Sequence, residues 1–192
     1  MTNSPKILAF SGSLRKDSLN SKLLEIAVQG AKDAGATVTT VSLADIPLPI
    51  YDGDLESEHG MPANGRKLKD LFLSHDGLLI ASPEYNGSLT AALKNMLDWV
   101  SRQEPGEPRL ACYQGKVAGL IATGGGFGGA RGLLHLRQIL AGMGALVIPE
   151  QLTIANGAQA FDENGVLKDD GQRASAASIG ANLASTVGKM TA

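Results

Sequence analysis

Five short apolar runs punctuate the chain: Lys6–Phe10, Thr37–Leu43, Gly77–Ala81, Val117–Ala122 and Ala145–Ile148. Their starts lie roughly 30 to 40 residues apart, the length of one strand–helix–strand unit. Helical patterns fill most of the intervals. Leu19, Leu23, Ile26, Ala27, Ala31 and Ala34 fall on one face, with Ser18 as N-cap and Gly35 beyond the end. Leu89, Ala92, Leu93, Met96 and Val100 form a second stripe, capped by Ser88. Leu133, Leu136, Ile139, Leu140 and Met143 form a third, closed by Gly144. A weaker pattern covers 63–74 with Leu68, Leu71 and Phe72 inward, and an alanine-rich one covers 172–189. Strands that alternate with helices predict a parallel sheet covered on both faces. For five strands the common doubly wound order is 2-1-3-4-5. The chain then reverses direction between strands 1 and 3, and a crevice opens between the loops that follow them. Those loops are "SGSLRKDSLN" and "SPEYNGSL", the two chemically oddest connections in the chain.

Composition bounds what such a sheet serves. The chain has 192 residues, 43% apolar and 19% charged, without a linker or a break in composition. One domain spanning 1–192 is expected. The formal net charge of -2 argues against a nucleic-acid partner. No apolar stretch approaches a membrane span, and the N-terminal apolar run is too short for a signal peptide, so the expectation is a cytoplasmic protein. A single cysteine, Cys112, excludes an intrachain disulfide and any CxxC metal site.

In the first loop, a helix N-terminus offers unpaired N–H groups and a partial positive charge. Gly12 permits a sharp turn, Ser13, Ser18 and Asn20 add side-chain donors, and Arg15 can pair bidentately with phosphate oxygens. The pattern describes a phosphate cradle; the plainer alternative is a polar turn in which Ser18 only caps the helix. In the third loop, Pro83 stiffens the strand exit, and Glu84, Tyr85, Asn86 and Gly87 turn toward a helix. Such a turn suits the polar edge of a flat heterocycle, or is simply a helix-entry turn. After strand 4, "TGGGFGGAR" places five glycines in six positions, which lets another molecule approach the backbone closely. Gly124, Gly126 and Gly129 formally satisfy G-x-G-x-x-G, yet they follow the fourth strand rather than the first, and the nearby acid, Glu150, follows a proline at a strand end. A third wall for the crevice is the better reading; a dinucleotide site of Rossmann type is the alternative. His59, His75 and His135 show no metal-ligand spacing, and no G-x-S-x-G elbow is present. With so few reactive side chains, a bound cofactor would carry the chemistry of an enzyme built this way.

Three stretches in order, "GSLRKDSLN", "SPEYNGSLTAALKNMLDWVSR" and "GGGFGGARGLLHLRQILAGMGA", resemble the NADPH-dependent FMN reductase family, whose members include quinone, chromate and azo-dye reductases of flavodoxin-like fold. The resemblance runs from Lys6 to about Lys189. It implies that Ser13, Arg15, Ser18 and Asn20 hold the FMN phosphate, with Leu14 and Leu19 contributing backbone. It implies that Pro83, Glu84, Tyr85 and Asn86 line the isoalloxazine ring, and that Thr123, Gly124 and Gly125 lie near the ring's other side. Members often carry serines where this chain has "ATGGG". Arg131 matches an arginine placed near a subunit interface and nucleotide site. The implied activity is ping-pong hydride transfer from NAD(P)H to FMN N5, then two-electron reduction of a small quinone, chromate or azo-type acceptor, without a catalytic side chain. A homodimer or homotetramer is implied as well. A flavodoxin-like electron carrier without nicotinamide turnover is the competing expectation.

Overall fold

In the computed structural model, which describes residues 4–191, the five apolar runs become one parallel sheet. The strands are β1 (Lys6–Ser11), β2 (Thr37–Ser42), β3 (Gly77–Ala81), β6 (Val117–Thr123) and β7 (Leu146–Ile154), in the order β2-β1-β3-β6-β7. That is the 2-1-3-4-5 order expected from the sequence. A separate two-stranded hairpin, β4 (Glu84–Tyr85) and β5 (Ser88–Leu89), lies between β3 and the next helix.

Alternation along the strands divides the core in two. Ile7, Ala9, Leu79, Ala81 and Ile121 pack on one face against helices α1 (Leu19–Asp33) and α7 (Asp170–Met190). Leu8, Phe10, Leu78, Ile80 and Leu120 pack on the other, against α3 (Ala63–Leu73), α4 (Ala91–Ser101) and α5 (Ala130–Gly142). All ten of these side chains are fully buried. Each large one contributes about 1.5–3 kcal/mol of transfer free energy.

Helix ends follow local chemistry. Ser18 Oγ accepts from the Ser21 N–H and starts α1, and Gly35 follows its end at φ +90°. Gly144 ends α5 in the same way, at φ +91°. The expected cap Ser88 is corrected: it belongs to β5, and Thr90 Oγ1 accepts from the Leu93 N–H to start α4. The reason is the pair Asn86–Gly87, with φ of +52° and +81°, which makes a two-residue hairpin turn and delays the helix. The last strand also runs past the expected 145–148. Its register against β6 slips between Ala118 and Leu120, where Ile148, Pro149 and Glu150 stand against Gly119 alone and pairing resumes at Gln151, with Ile148 still buried in the core. A proline is tolerated there because β7 is an edge strand and the bulge needs no ladder bond from it.

Between β2 and α3, the chain makes a 3-10 turn (Leu43–Asp45) and a short helix, α2 (Gly53–His59), neither of which was expected. This segment is tied to α4. Trp99 Nε1 donates to the Pro49 carbonyl at 2.8 Å, and Tyr51 meets the Trp99 ring edge-on at 5.1 Å. No helix among the described residues is long and apolar enough to cross a membrane.

Candidate cofactor cleft at the carboxyl edge of the sheet

Beyond the carboxyl ends of β1, β3, β6 and β7, four loops surround a cleft of about 420 Å3. The β1–α1 loop is seated first. Gly12 N–H donates to the Ala81 carbonyl and Thr90 Oγ1 donates to the Gly12 carbonyl, at 2.9 and 2.6 Å. A Cβ on Gly12 would lie 2.9 Å from Leu93 Cδ2, so a larger residue there would push the Leu93 side chain aside for the loop to rest on α4. Ser13 Oγ then accepts from the Arg15 N–H at 3.2 Å, which folds the loop toward the helix. Ser13 and Ser18 are nearly buried at the cleft wall. Each uses its oxygen as an acceptor within the loop, which leaves the hydroxyl hydrogen for an incoming anion. Arg15 is exposed at the cleft and forms no ion pair among the described residues.

Asn20 has a different task from the donor role expected of it. Its Nδ2 donates to the Thr123 carbonyl at 2.8 Å, and its Oδ1 accepts from the Thr123 N–H at 3.0 Å. This two-point amide clamp fixes the start of α1 to the end of β6. Thr123 Oγ1 donates in turn to the Ile154 carbonyl at 3.0 Å, so its hydroxyl serves β7. The side chains of both residues are therefore engaged in holding the cleft's back wall together.

Glu84 is likewise turned to structural use. Its Oε2 accepts from the backbone N–H groups of Arg131 and Gly132 at 2.9 and 3.1 Å, and its Oε1 accepts from Arg131 Nε at 2.8 Å. α5 has no side-chain cap of its own at Gly129, and this carboxylate supplies one from a distant loop. Burial works against the Glu84 charge. The Arg131 guanidinium and the two backbone N–H groups outweigh it, and hold the carboxyl below the usual carboxylate range.

Eleven of the thirteen expected cofactor residues line the cleft: Ser13, Arg15, Ser18, Leu19, Asn20, Pro83, Glu84, Tyr85, Thr123, Gly124 and Gly125. Two do not. Leu14 is 56% exposed and lines a groove between α1 and β2 instead. Asn86 occupies the hairpin turn and borders a neighbouring recess. A fourth wall was missed: Asn156, Gly157, Ala158 and Gln159, in the turn after β7 and the short helix α6 (Gly157–Ala160). Asn156 and Gly157 N–H groups donate to the carbonyls of Gly125 and Gly124, at 3.0 and 2.8 Å. The "NG" pair at 156–157, beyond the carboxyl end of a strand, was the available signal.

The remaining polar residues lie elsewhere. Cys112 is buried, and burial pushes its thiol up to about 11. His75 bridges the Leu71 carbonyl and Thr39 Oγ1. Among the described residues, no group of three His, Cys, Asp or Glu is placed to hold a metal ion.

The model of the NADPH-dependent FMN reductase family matches residues 5–159. The chain belongs to the NADPH-dependent FMN reductase family. An NADPH:quinone oxidoreductase of Arabidopsis thaliana is 41% identical over 136 residues, 70% of this chain and 65% of that protein. An NAD(P)H-dependent FMN reductase of Pseudomonas aeruginosa is 37% identical over 176 residues, 90% of each chain. Among solved structures, the flavoenzyme NAD(P)H:(acceptor) oxidoreductase of Paracoccus denitrificans superimposes with a TM-score of 0.79 at 28% identity, over 98% of this chain and all of that one. Family membership makes the chain an oxidoreductase of flavodoxin-like fold, with FMN as cofactor and NAD(P)H as co-substrate.

Proposed function

We propose that the chain is an FMN-dependent NAD(P)H oxidoreductase that works in ping-pong order on a quinone, chromate or azo-type acceptor. The observation that carries this reading is the cleft's division of labour. At one end are an anion cradle and Arg15, a cation with no ion-pair partner among the described residues; at the other lie the strand-exit segment 83–85 and the glycine loop 123–125. FMN fits that donor set. The first N–H groups of α1, the hydroxyls of Ser13 and Ser18, and Arg15 would hold its phosphate. The 83–85 segment and Thr123–Gly125 would take its ring. When bound, FMN supplies the hydride chemistry, accepting two electrons from NAD(P)H and passing two to the acceptor.

The protein's own contribution is binding and orientation. The Asn20–Thr123 clamp fixes the distance between the phosphate loop and the ring loop. The Glu84 bonds to Arg131 and Gly132 fix the hairpin against α5. Both reduce the motion a bound cofactor would have to freeze out. The commitment of Glu84 to Arg131 and Gly132 supports a reading in which the cofactor, and not a carboxylate of the cleft, carries the chemistry. Assembly as a homodimer or homotetramer is part of the proposal.

A visible spectrum of the purified protein, followed by anaerobic titration with NADH and with NADPH, tests it. Flavin absorbance that bleaches on titration and returns on adding menadione is the expected result. Failure to take up FMN would defeat the reading. Bound FMN that neither nucleotide reduces would leave a flavodoxin-like carrier.

A further inference from the structure

A second hollow opens between α1 and β2, outside the flavin cleft, with a volume of about 560 Å3. That lies within the range of small-molecule sites, about 300–1,000 Å3. It meets the cleft at the phosphate loop, because Ser13 and Arg15 line both. Its floor is apolar. Leu24 and Val28 of α1 are 3% and 7% exposed, and Val41 of β2 is half-buried. Thr40, Val41 and Ser42 line it in succession. Successive side chains of a strand point to opposite faces, so the hollow reaches the free edge of β2. The outer backbone N–H and C=O groups there have no strand partner among the described residues.

Four charged side chains complete the lining. Arg15 and Lys16 enter from the phosphate loop, Glu25 from the second turn of α1, and Asp45 from just beyond the carboxyl end of β2. All four are exposed, and none forms an ion pair among the described residues. Two cations and two acids in one hollow, unpaired with each other, suit a ligand that carries both an anion and hydroxyl groups.

We propose that this hollow takes the adenylyl half of FAD, so that the chain holds the dinucleotide as well as FMN. The flavin-side phosphate stays in the cradle at the α1 N-terminus, and the second phosphate crosses to Arg15 and Lys16. The Asp45 carboxylate accepts from the ribose hydroxyls, the task an acid performs in dinucleotide sites of doubly wound folds. Adenine rests on Leu24, Val28 and Val41, and the free edge of β2 offers donors and acceptors to its polar rim. The assignment rests on the flavin reading of the adjoining cleft.

Calorimetric titration of the flavin-free protein with FMN and with FAD tests it. Wild type is expected to bind both. Lys16→Ala and Asp45→Asn, at exposed positions outside the FMN cradle, are each expected to raise the FAD dissociation constant roughly tenfold, through loss of one hydrogen bond to a charged group. Both are expected to leave FMN affinity unchanged. The Asp45 variant separates contact from field. Removal of a negative charge would by itself tighten the binding of an anion, so weaker FAD binding reports a lost hydrogen bond. Uptake of FMN with no binding of FAD overturns the assignment and leaves the flavin reading intact, as does FAD affinity that neither substitution changes. Unchanged FAD affinity with a raised KM for NADPH overturns it too, and gives the hollow to the adenosine half of the nicotinamide nucleotide. Wild-type protein that takes up neither flavin removes both readings together.

Discussion

Arg15 in the β1–α1 loop and Asn20 in the first turn of α1 lie five residues apart, yet the structure gives them opposite roles. Asn20 is buried, and its amide is taken up by the Thr123 backbone. Arg15 is exposed at the cleft and pairs with no acid among the described residues. A cation with no internal partner at a helix N-terminus is poised for an anion. Arg15→Ala is therefore expected to weaken FMN binding by about 1.5–3 kcal/mol, the worth of a hydrogen bond to a charged group. Fluorescence quenching on FMN titration measures it, and an unchanged dissociation constant would remove Arg15 from the cradle. Arg15→Lys should recover only part of the loss, because an ammonium keeps the charge and loses the fork. The serines, asparagine and arginine were all legible in the sequence as polar groups near one helix start. Which of them face a ligand and which face the protein was not, because the partners of Asn20 and Glu84 lie about 100 and 50 residues away along the chain.

The positions of the five long helices were legible from apolar spacing, while the short helices α2 and α6 and the contact between α1 and α7 were not. A Cβ on Gly30 would lie 2.0 Å from the Ala177 carbonyl oxygen, and one on Gly180 would lie 1.8 Å from the Ala27 carbonyl oxygen. The two backbones touch at this crossing, and glycine is required on both sides. In sequence each was only a glycine within a helical pattern, where it lowers helix propensity. Gly180→Ala should destabilise the protein by about 1–3 kcal/mol or more, through overpacking against backbone that cannot yield. Gly142→Ala at the end of α5 has open space and no positive φ. It should be neutral or stabilise by up to about 1 kcal/mol. Urea midpoints compare the two, and equal effects would contradict the crossing. The hairpin after β3 was also within reach of the sequence, since Asn-Gly is the strongest short hairpin signal. Its strands are only two residues each, too short for alternation to show.

At the scale of the whole molecule, the cleft is a meeting of four loops from the carboxyl edge of one sheet. A cofactor that binds there only when those loops are assembled stabilises the folded state by mass action. At a free FMN concentration one hundred times the dissociation constant, the gain is about 2.7 kcal/mol. For a chain of this size that corresponds to a rise of about 5–10 °C in the midpoint of thermal unfolding. Calorimetric scans at increasing FMN measure it, and a midpoint that does not move would deny the cleft its cofactor.

By itself, the sequence determined the strand count and order of the main sheet and the edge at which the cleft opens. Those depend on local periodicity, on the handedness of parallel connections and on the reversal between strands 1 and 3. It also brought eleven of the thirteen expected residues to the cleft wall. Only the tertiary structure decided that Glu84 caps α5, that Asn20 clamps β6 and that Asn156–Gln159 close the cleft. These are contacts between segments distant in sequence, and a polar side chain commits to one partner only when packing has brought the candidates together.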